Sequence, residues 1–307
     1  MSDAFLADDS RPISLGLVGL SGVMQEAHIP NLMRLSFSPC PPFRIAGVCD
    51  KDFALALSAA EALKTRAFAS LKAMAESCEM EAVLIATPPA THRALFFEAL
   101  EARKHVFIEK PLALSIAEAR EMAEAARAAQ TAIRIGYMLR SHRDAIRAKR
   151  RLSEGAVGTP LTCLNLVVPP KGKPWNPPFP TPPKTGARFG EPDPENPDRL
   201  ALDAWSDNSV HYLNLMQWWF GPVQSVFAHA RNPGPTMMLR YRNGVLATHL
   251  LAPARVQERR DFAIFGDKGA IELRLHYPMQ RNSIGHFKEI DIAAETKTAS
   301  LGDHSDM

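Results

Sequence analysis

A histidine, an aspartate and a lysine are the side chains of this sequence best suited to chemistry on an alcohol. Asp207 and His211 are four residues apart, so they share one face if their segment is helical. The ordinary pKa of histidine lies near neutrality, so His211 can take up a hydroxyl proton while Asp207 holds its other ring nitrogen. Lys110 would add a positive charge that stabilises a developing alkoxide. A solvated helix pair and a surface lysine at a strand end are the alternative interpretations.

A second group of candidates follows the first apolar run, in the segment Gly19-Leu20-Ser21-Gly22-Val23-Met24. A strand that ends in glycine and leads into a helix suits a pyrophosphate, because helix N-terminal N–H groups and the helix dipole favour anions. Only Gly19 matches the G-x-G-x-x-G/A pattern, since Ser21 and Met24 stand at its second and third glycine positions and Gly22 comes one residue late. A glycine-containing turn without a ligand is the alternative interpretation.

The end of the second apolar run carries an acidic residue that bears on the choice of cofactor. Asp50 stands 31 residues after Gly19, where a carboxylate can accept hydrogen bonds from ribose hydroxyls. Its charge would repel a 2′-phosphate, so the sequence predicts NAD rather than NADP, with the neighbouring Lys51 softening that preference. The alternative role for Asp50 is that of a helix N-cap.

The elements that must position these residues change in character along the chain. Through residues 12–158, short apolar runs alternate with amphipathic stretches rich in Ala, Glu and Arg. This alternation predicts parallel strands with crossover helices, and runs buried on both faces predict a doubly wound sheet. An α+β mixture without a parallel sheet is the alternative. The five runs are 13–20, 43–50, 82–88, 105–109 and 132–138.

The second half of the chain follows a different pattern. Residues 160–198 hold 12 of the 25 prolines, so we interpret 169–198 as a long irregular arm. This arm either docks on a neighbouring subunit or the rim of a cleft, or is a mobile surface loop. The segment 206–220 predicts a helix that stops at Gly221-Pro222. Five strand-like runs between 223 and 275 then predict an open, mainly antiparallel sheet with one helix packed on it.

The predicted fold class is therefore α/β, with an N-terminal Rossmann-like doubly wound parallel sheet and a C-terminal α+β domain. We expect a tail at 1–12, a dinucleotide-binding domain at 13–158, a substrate and oligomerisation domain at 159–295 and a second tail at 296–307. One helix cannot cover the open sheet, so a homo-oligomer, a dimer or tetramer through this sheet, is expected. The apolar residues named for the uncovered layer are Val226, Ala228, Met238, Leu239, Leu246, Leu250 and Leu251.

Composition and charge argue against several classes of protein. The chain is 46 % apolar and 22 % charged with a net charge of +3, so neither nucleic acid nor a membrane surface is expected as its main partner. Four scattered cysteines predict neither a disulfide framework nor a zinc site, and they fit a cytoplasmic location. No apolar run approaches the ~18 residues of a membrane span. The histidines lack metal-ligand spacing, so no metal is predicted.

The most informative motifs lie within residues 82–126. Thr87-Pro88-Pro89 with His92, followed by Glu109-Lys110-Pro111, resembles the hallmark motifs of the Gfo/Idh/MocA family of oxidoreductases. The likeness continues through 136–140 and 154–158, resumes at Asp207-Asn208-Ser209-Val210-His211 and extends to 266–273. It covers about residues 13–275 in all.

This resemblance implies a Rossmann domain, a C-terminal domain whose sheet often mediates oligomerisation, and NAD(P)-linked oxidation or reduction of sugars, polyols or related small alcohols. It places Lys110 at the nicotinamide and makes Asp207 and His211 the acid–base pair. The residues expected to bind the cofactor are Gly19, Ser21, Gly22, Asp50, Lys51, Thr87, Pro88, His92, Glu109 and Lys110. Those expected to contact a carbohydrate-like substrate are Lys110, Arg140, Asp207 and His211.

Departures from the family pattern leave two further functions open. Ser209 replaces a glycine of the acid–base motif, and Asn214 stands where an aspartate often follows the histidine by three. A nucleotide- or sugar-sensing protein without turnover fits the altered glycine pattern, although the intact Lys110, Asp207 and His211 oppose it. A hydrolase or lyase that uses NAD within one cycle would differ by retaining its cofactor through purification. For Arg140, solvation at a helix N-terminus is the alternative to substrate contact.

Overall fold

The computed structural model describes residues 11–20, 22–168, 204–229, 236–252, 259–275 and 286–291. Ser21, the predicted arm at 169–198 and the predicted tail at 296–307 lie outside these ranges. The described residues divide into two compact units, the first up to Gly136 and the second from Tyr137 onward.

The first unit is a six-stranded sheet in the order β3-β2-β1-β4-β5-β6, with every neighbouring pair parallel. This arrangement confirms the predicted doubly wound Rossmann-like sheet. The strands are β1 (Ile13–Val18), β2 (Phe43–Cys49), β3 (Ala67–Phe68), β4 (Ala82–Ile85), β5 (His105–Ile108) and β6 (Ile133–Ile135). The strand order reverses between β1 and β4, which places the ligand crevice of such a sheet beyond the carboxyl ends of these two strands.

Five α-helices connect these strands and cover both faces of the sheet. They are α1 (Ile29–Ser36), α2 (Phe53–Leu63), α3 (Leu71–Ser77), α4 (His92–Glu101) and α5 (Ile116–Ala128), and a π-helical turn (Met24–His28) precedes α1. Leu17 and Leu84 pack with α2 in one buried cluster, while Val83 and Ile108 pack with Phe96 of α4 in another. Burial on both faces explains why the strands read as continuous apolar runs.

The described residues of the second unit form a seven-stranded sheet in the order β13-β12-β11-β7-β10-β9-β8. Every pair is antiparallel except β7 with β10, which confirms the predicted open, mainly antiparallel sheet. The strands are β7 (Pro160–Val168), β8 (Val223–His229), β9 (Thr236–Tyr241), β10 (Leu246–Leu251), β11 (Arg259–Gly266), β12 (Gly269–Arg274) and β13 (His286–Asp291). Strands β7 and β13 were not predicted from the sequence.

In the described part of this unit, two helices, rather than the single predicted one, pack together: α6 (Arg143–Ser153) and α7 (Ala204–Phe220). The indole Nε1 of Trp219 donates to the Ala145 carbonyl (3.1 Å), and Lys149 Nζ donates to the Trp218 carbonyl (2.7 Å). These bonds explain why residues 137–158 belong with the second unit, whereas the sequence analysis grouped them with the first. The core under the helices includes Leu215 and Phe262.

The opposite face of this sheet carries a row of exposed apolar side chains. Leu164 is 48 % exposed, Met238 49 %, Leu246 42 % and Leu250 39 %. Val226 on the edge strand β8 is exposed too, but it pairs with Leu239 and therefore lies on the other face of the sheet. Four residues named for this layer are thus on the core-facing side, because successive side chains of a strand alternate between its faces. Leu239 and Leu251 point into the core, and Val226 and Ala228 share that face on the edge strand.

Candidate active site

The turn after β1 is shaped by a glycine that no other residue could replace without strain. Gly19 has a φ of +80°, and a Cβ added there would lie 2.6 Å from Thr87 Cγ2 and 2.8 Å from the Ala86 carbonyl oxygen. Both the dihedral angle and the close approach of β4 therefore require glycine. Met24, at the third position of the glycine pattern, is fully buried in the core beside α2. A large apolar side chain thus fills the place where the pattern calls for close helix–strand packing.

Asp50 holds the same turn from the end of β2. One of its carboxylate oxygens accepts a hydrogen bond from Leu20 N (2.7 Å), and the other accepts one from Asp52 N (2.9 Å). The N-cap of α2 is Asp52, whose side chain accepts from Ala54 N and Leu55 N, so Asp50 does not fill that alternative role. A carboxylate offers about four acceptor positions. Asp50 can therefore hold the turn and still accept a ribose hydroxyl, while Lys51 is exposed beside it.

His92 links the turn after β4 to the turn after β5. It is fully buried, with Nε2 2.9 Å from the Thr87 carbonyl oxygen and Nδ1 2.9 Å from the Pro111 carbonyl oxygen. Burial lowers the pKa of His92 despite these two acceptors. Both ring nitrogens are committed to backbone, so His92 acts on the site by holding these two turns. Pro88 is exposed at the first of them.

Glu109 is the buried partner of a histidine that the sequence analysis did not single out for the site. Its Oε1 lies 2.7 Å from His28 Nε2, and its Oε2 accepts from Lys110 N (3.0 Å). Burial favours the protonated carboxyl, but the hydrogen bonds and charges of His28 and Lys110 outweigh it and lower the pKa of Glu109. Its carboxylate also packs where a Cβ on Gly136 would lie, at 2.8 Å. Glu109 thus fixes the backbone from which Lys110 extends.

Within the second unit, α7 carries the predicted acid–base pair. Asp207 and His211 are one turn apart in this helix, as the spacing predicted, although the side chain of Asp207 lies outside the described part. His211 is only 8 % exposed. Arg140 lies in a short helical turn (Met138–Ser141), with its guanidinium 5.9 Å from the ring centre of Trp218 on α7. These residues belong to one helix and the segment packed against it.

A buried chain of polar side chains reaches the same part of α7 from the sheet. His249 of β10 is fully buried, with Nε2 2.9 Å from Ser209 Oγ and Nδ1 2.6 Å from Asn165 Oδ1. Asn165 Nδ2 in turn donates to the Asp261 carbonyl oxygen (3.0 Å). The ring of His249 stacks on Tyr212 at 5.9 Å. The sequence indicates Ser209 only as the replacement of a glycine and predicts no contact for it.

The structure places the remaining predicted residues as follows. Thr87 is half-buried and accepts a hydrogen bond from the Thr91 hydroxyl at the carboxyl end of β4, and Lys110 follows β5 and is half-buried.

Within the described ranges, no three His, Cys, Asp or Glu side chains are grouped so that they could hold a metal ion. In the same part of the chain, no helix combines the length and the apolar character needed to cross a bilayer.

The turn after β1 fits the pyrophosphate of a dinucleotide. Gly22 has a φ of +53°, and a Cβ added there would meet nothing within 4 Å, so the space in front of the helical segment is open. Glycine at 19 brings the backbone against β4, and Asp50 holds the turn with an acceptor at the end of β2. These features are those of a nucleotide site in an open α/β sheet.

The fold and this turn define a Rossmann-type nucleotide-binding unit joined to a unit with an open sheet. Residues 13–137 match the GFO_IDH_MocA model, described as an oxidoreductase family with an NAD-binding Rossmann fold, and residues 179–272 match the C-terminal domain of the same family. The chain belongs to the Gfo/Idh/MocA family, and its first unit is the family's NAD-binding domain.

Three relatives illustrate the likeness. An inositol 2-dehydrogenase of Rubrobacter xylanophilus is 34 % identical over 154 residues, which are 50 % of this chain and 43 % of that protein. A UDP-N-acetylglucosamine 3-dehydrogenase of Acidithiobacillus ferrooxidans is 36 % identical over 136 residues, 44 % of this chain and 42 % of that protein. The match to such curated relatives spans about half of their length. The WlbA dehydrogenase of Chromobactrium violaceum, solved with NADH and UDP-GlcNAcA, shares the fold with a TM-score of 0.70 at 24 % identity, covering 96 % of this chain and 83 % of that one.

Proposed function

We propose that this protein is an NAD-dependent dehydrogenase or reductase of a sugar, polyol or related small alcohol. The observation that carries the proposal is the turn after β5, where buried Glu109 holds the backbone of Lys110 at a strand end on the ligand-binding side of a Rossmann sheet. Relatives named as dehydrogenases of inositol and of UDP-N-acetylglucosamine support the class of substrate.

The residues that would hold the cofactor are the turn around Gly19, Ser21 and Gly22 for the pyrophosphate and Asp50 for the ribose. Lys51 and the turn that contains Thr87, Pro88 and His92 are the other parts of the proposed cofactor site. When bound, NAD supplies the acceptor for a hydride from the alcohol carbon.

In this proposal, the residues that transfer the proton belong to the second unit. His211 takes the proton of the substrate hydroxyl during oxidation and returns it during reduction, and Asp207 orients the imidazole by holding its other nitrogen. The ammonium of Lys110 stabilises the alkoxide that develops as the proton leaves. Arg140 contributes a donor for a further hydroxyl or a carboxylate of the substrate. The order of these motifs along the chain, which is that of the family, supports this assignment.

The test combines binding and turnover. NAD and NADP are titrated by calorimetry, and the reduced nicotinamide is then followed by absorbance with inositols, UDP-N-acetylglucosamine and a panel of other sugars and polyols. Reduction by one member of the panel supports the proposal. Tight NAD binding with no reduction by any member, and no oxidation of NADH by the corresponding ketones, would favour a sensing protein. Nicotinamide that stays bound through purification, with product formed but no net reduction, would favour NAD-assisted hydrolase or lyase chemistry.

The first prediction concerns the carboxylate at the end of β2. Wild-type protein should bind NAD more tightly than NADP, because Asp50 repels a 2′-phosphate, and Asp50→Ser should narrow that difference to within about tenfold. The variant should also bind NAD more weakly, since Leu20 N loses its acceptor. Calorimetric titration with both cofactors measures these changes.

Asp52→Ser is the matched control for this experiment. It removes a carboxylate two residues away but keeps a good N-cap on α2, so the cofactor preference should not change. A wild-type protein that prefers NADP would show that Lys51 or another cation dominates and would contradict the role given to Asp50.

We further propose that the open face of the second unit's sheet is where copies of this chain associate. The exposed apolar side chains of this face are Leu164, Met238, Leu246 and Leu250 on β7, β9 and β10, and Phe227 of β8 and Phe265 of β11 extend the row, with 72 % and 39 % exposure. An apolar patch of more than a few hundred Å² on one subunit usually marks an association site. Self-association through a closed symmetric interface would cover it.

The second prediction tests this surface. Wild-type protein should be a dimer or tetramer at micromolar concentration, and the double variant Leu164→Glu, Leu250→Glu should be a monomer, because two buried charges would face two others across the interface. Light scattering coupled to size exclusion measures the mass. Phe37→Glu, at a residue of the first unit that is 84 % exposed, is the control and should not change the mass. A monomeric wild-type protein would contradict the proposal.

A further inference from the structure

The buried chain from Asn165 to Ser209 has a defined direction. Asn165 directs Nδ2 to the Asp261 carbonyl, which can only accept, so its Oδ1 faces His249. His249 must then carry its proton on Nδ1 and donate it to that oxygen. Burial lowers the pKa of His249, so the imidazole is neutral and its Nε2 is left as an acceptor. The hydrogen bond at 2.9 Å then comes from the Ser209 hydroxyl, and the ring is held in a single tautomer.

This chain joins the centre of the sheet to one turn of α7. Asn165 and His249 are register partners on the neighbouring strands β7 and β10, and β11 supplies the terminal carbonyl. His249 contacts α7 twice, through its hydrogen bond to Ser209 and through the stack on Tyr212. These two residues flank His211 along the helix. These contacts thus fix the rotation of this turn about the helix axis and its position along that axis, and the same turn carries His211.

We propose that His249 is a positioning residue, which acts through Ser209 to set the orientation of the α7 turn that presents His211 to substrate. This inference rests on the proposed function, in which His211 transfers the substrate proton. Reacting groups must be held within a fraction of an ångström of their productive geometry, and the loss of such support lowers turnover more than binding. A glycine at 209 could not make this contact, so the serine and the histidine form a pair.

The chain offers a matched control at the other end of the same helix. Trp219 also makes a buried hydrogen bond from α7, to the Ala145 carbonyl, but it lies two turns beyond His211. Ser209→Ala and Trp219→Phe each remove one buried hydrogen bond from α7 and leave its partner in place. If these hydrogen bonds contribute only to global stability, both variants should lose unfolding free energy and neither should lose kcat selectively.

The experiment measures local order and turnover separately. In Ser209→Ala, backbone amides of 209–213 should exchange with deuterium about tenfold faster, while those of β7 and β10 remain as in the wild type. On the best substrate of the panel, kcat should fall about tenfold with the Kd for NAD and the substrate KM little changed. Trp219→Phe should keep wild-type kcat. His249→Gln combined with Ser209→Ala should lose no more kcat than His249→Gln alone, because both changes break one contact.

Two results would overturn the proposal. Unchanged amide exchange at 209–213 in Ser209→Ala would show that the contact does not order this turn. Faster exchange with undiminished kcat would show that the order has no bearing on proton transfer. If wild-type protein turns over no substrate at all, the proposed function fails, whereas the exchange measurement still decides whether His249 orders the α7 turn.

Discussion

Replacing His211 with alanine is expected to lower turnover by roughly 10²–10⁴-fold, the usual effect of removing a general acid–base group. His211 is only 8 % exposed on α7 of the second unit, whereas the turns around Gly19 and Asp50 that would bind NAD belong to the first unit. NAD affinity should therefore stay nearly unchanged. The loss should appear in kcat and in kcat/KM alike, because the proton is transferred in the transition state.

The measurement is steady-state reduction of NAD by the best substrate of the panel, together with calorimetric titration of NAD. His229→Ala removes an exposed histidine from the edge strand β8 and should behave as the wild type. A His211→Ala protein with full turnover on that substrate would eliminate the acid–base assignment. A loss of NAD affinity equal to the loss of turnover would instead point to a folding defect.

Much of the architecture could be predicted because hydrophobic periodicity is a local signal. The five apolar runs of the first half correspond to five strands of the parallel sheet. The sixth strand, β3, was not predicted because it has only two residues. Strand β7 was not predicted for a different reason. It begins at Pro160, beside a proline-rich stretch that argues against a strand, yet the first residue of a strand tolerates proline.

The candidate site was predictable only in part, since its supporting contacts join residues far apart in the sequence. Glu109 was expected to bind the cofactor, but its partner His28 lies 81 residues away, and no spacing rule connects the two. Ser209 and His249 are 40 residues apart and meet only because α7 packs on β10. The one available signal was a serine where the resembling motif has glycine, which indicated an additional hydroxyl without naming its acceptor.

The second large effect is expected in the stability of the protein between pH 6.5 and 4. Burial lowers the pKa of His249 to about 4 in the folded chain, against an ordinary value of 6.5. In this interval the unfolded chain binds a proton that the folded chain does not, so stability rises with pH there. The contribution of His249 is complete above pH 6.5 and is lost as the pH falls towards 4. A shift of this size corresponds to about 3 kcal/mol.

The comparison of wild-type protein with His249→Gln isolates this contribution. Glutamine is neutral throughout, and other groups with lowered pKa values, such as His92 and Glu109, titrate in both proteins. The free energy of unfolding is measured with urea at intervals from pH 7.5 to 4. As the pH falls, it should decrease more steeply for the wild type than for His249→Gln, and the difference between the two proteins should shrink by up to about 3 kcal/mol at pH 4. Parallel curves would mean that His249 keeps its ordinary pKa. Its imidazole would then be protonated below about pH 6.5 and donate from both nitrogens there, so the single tautomer that accepts from Ser209 would be confined to higher pH.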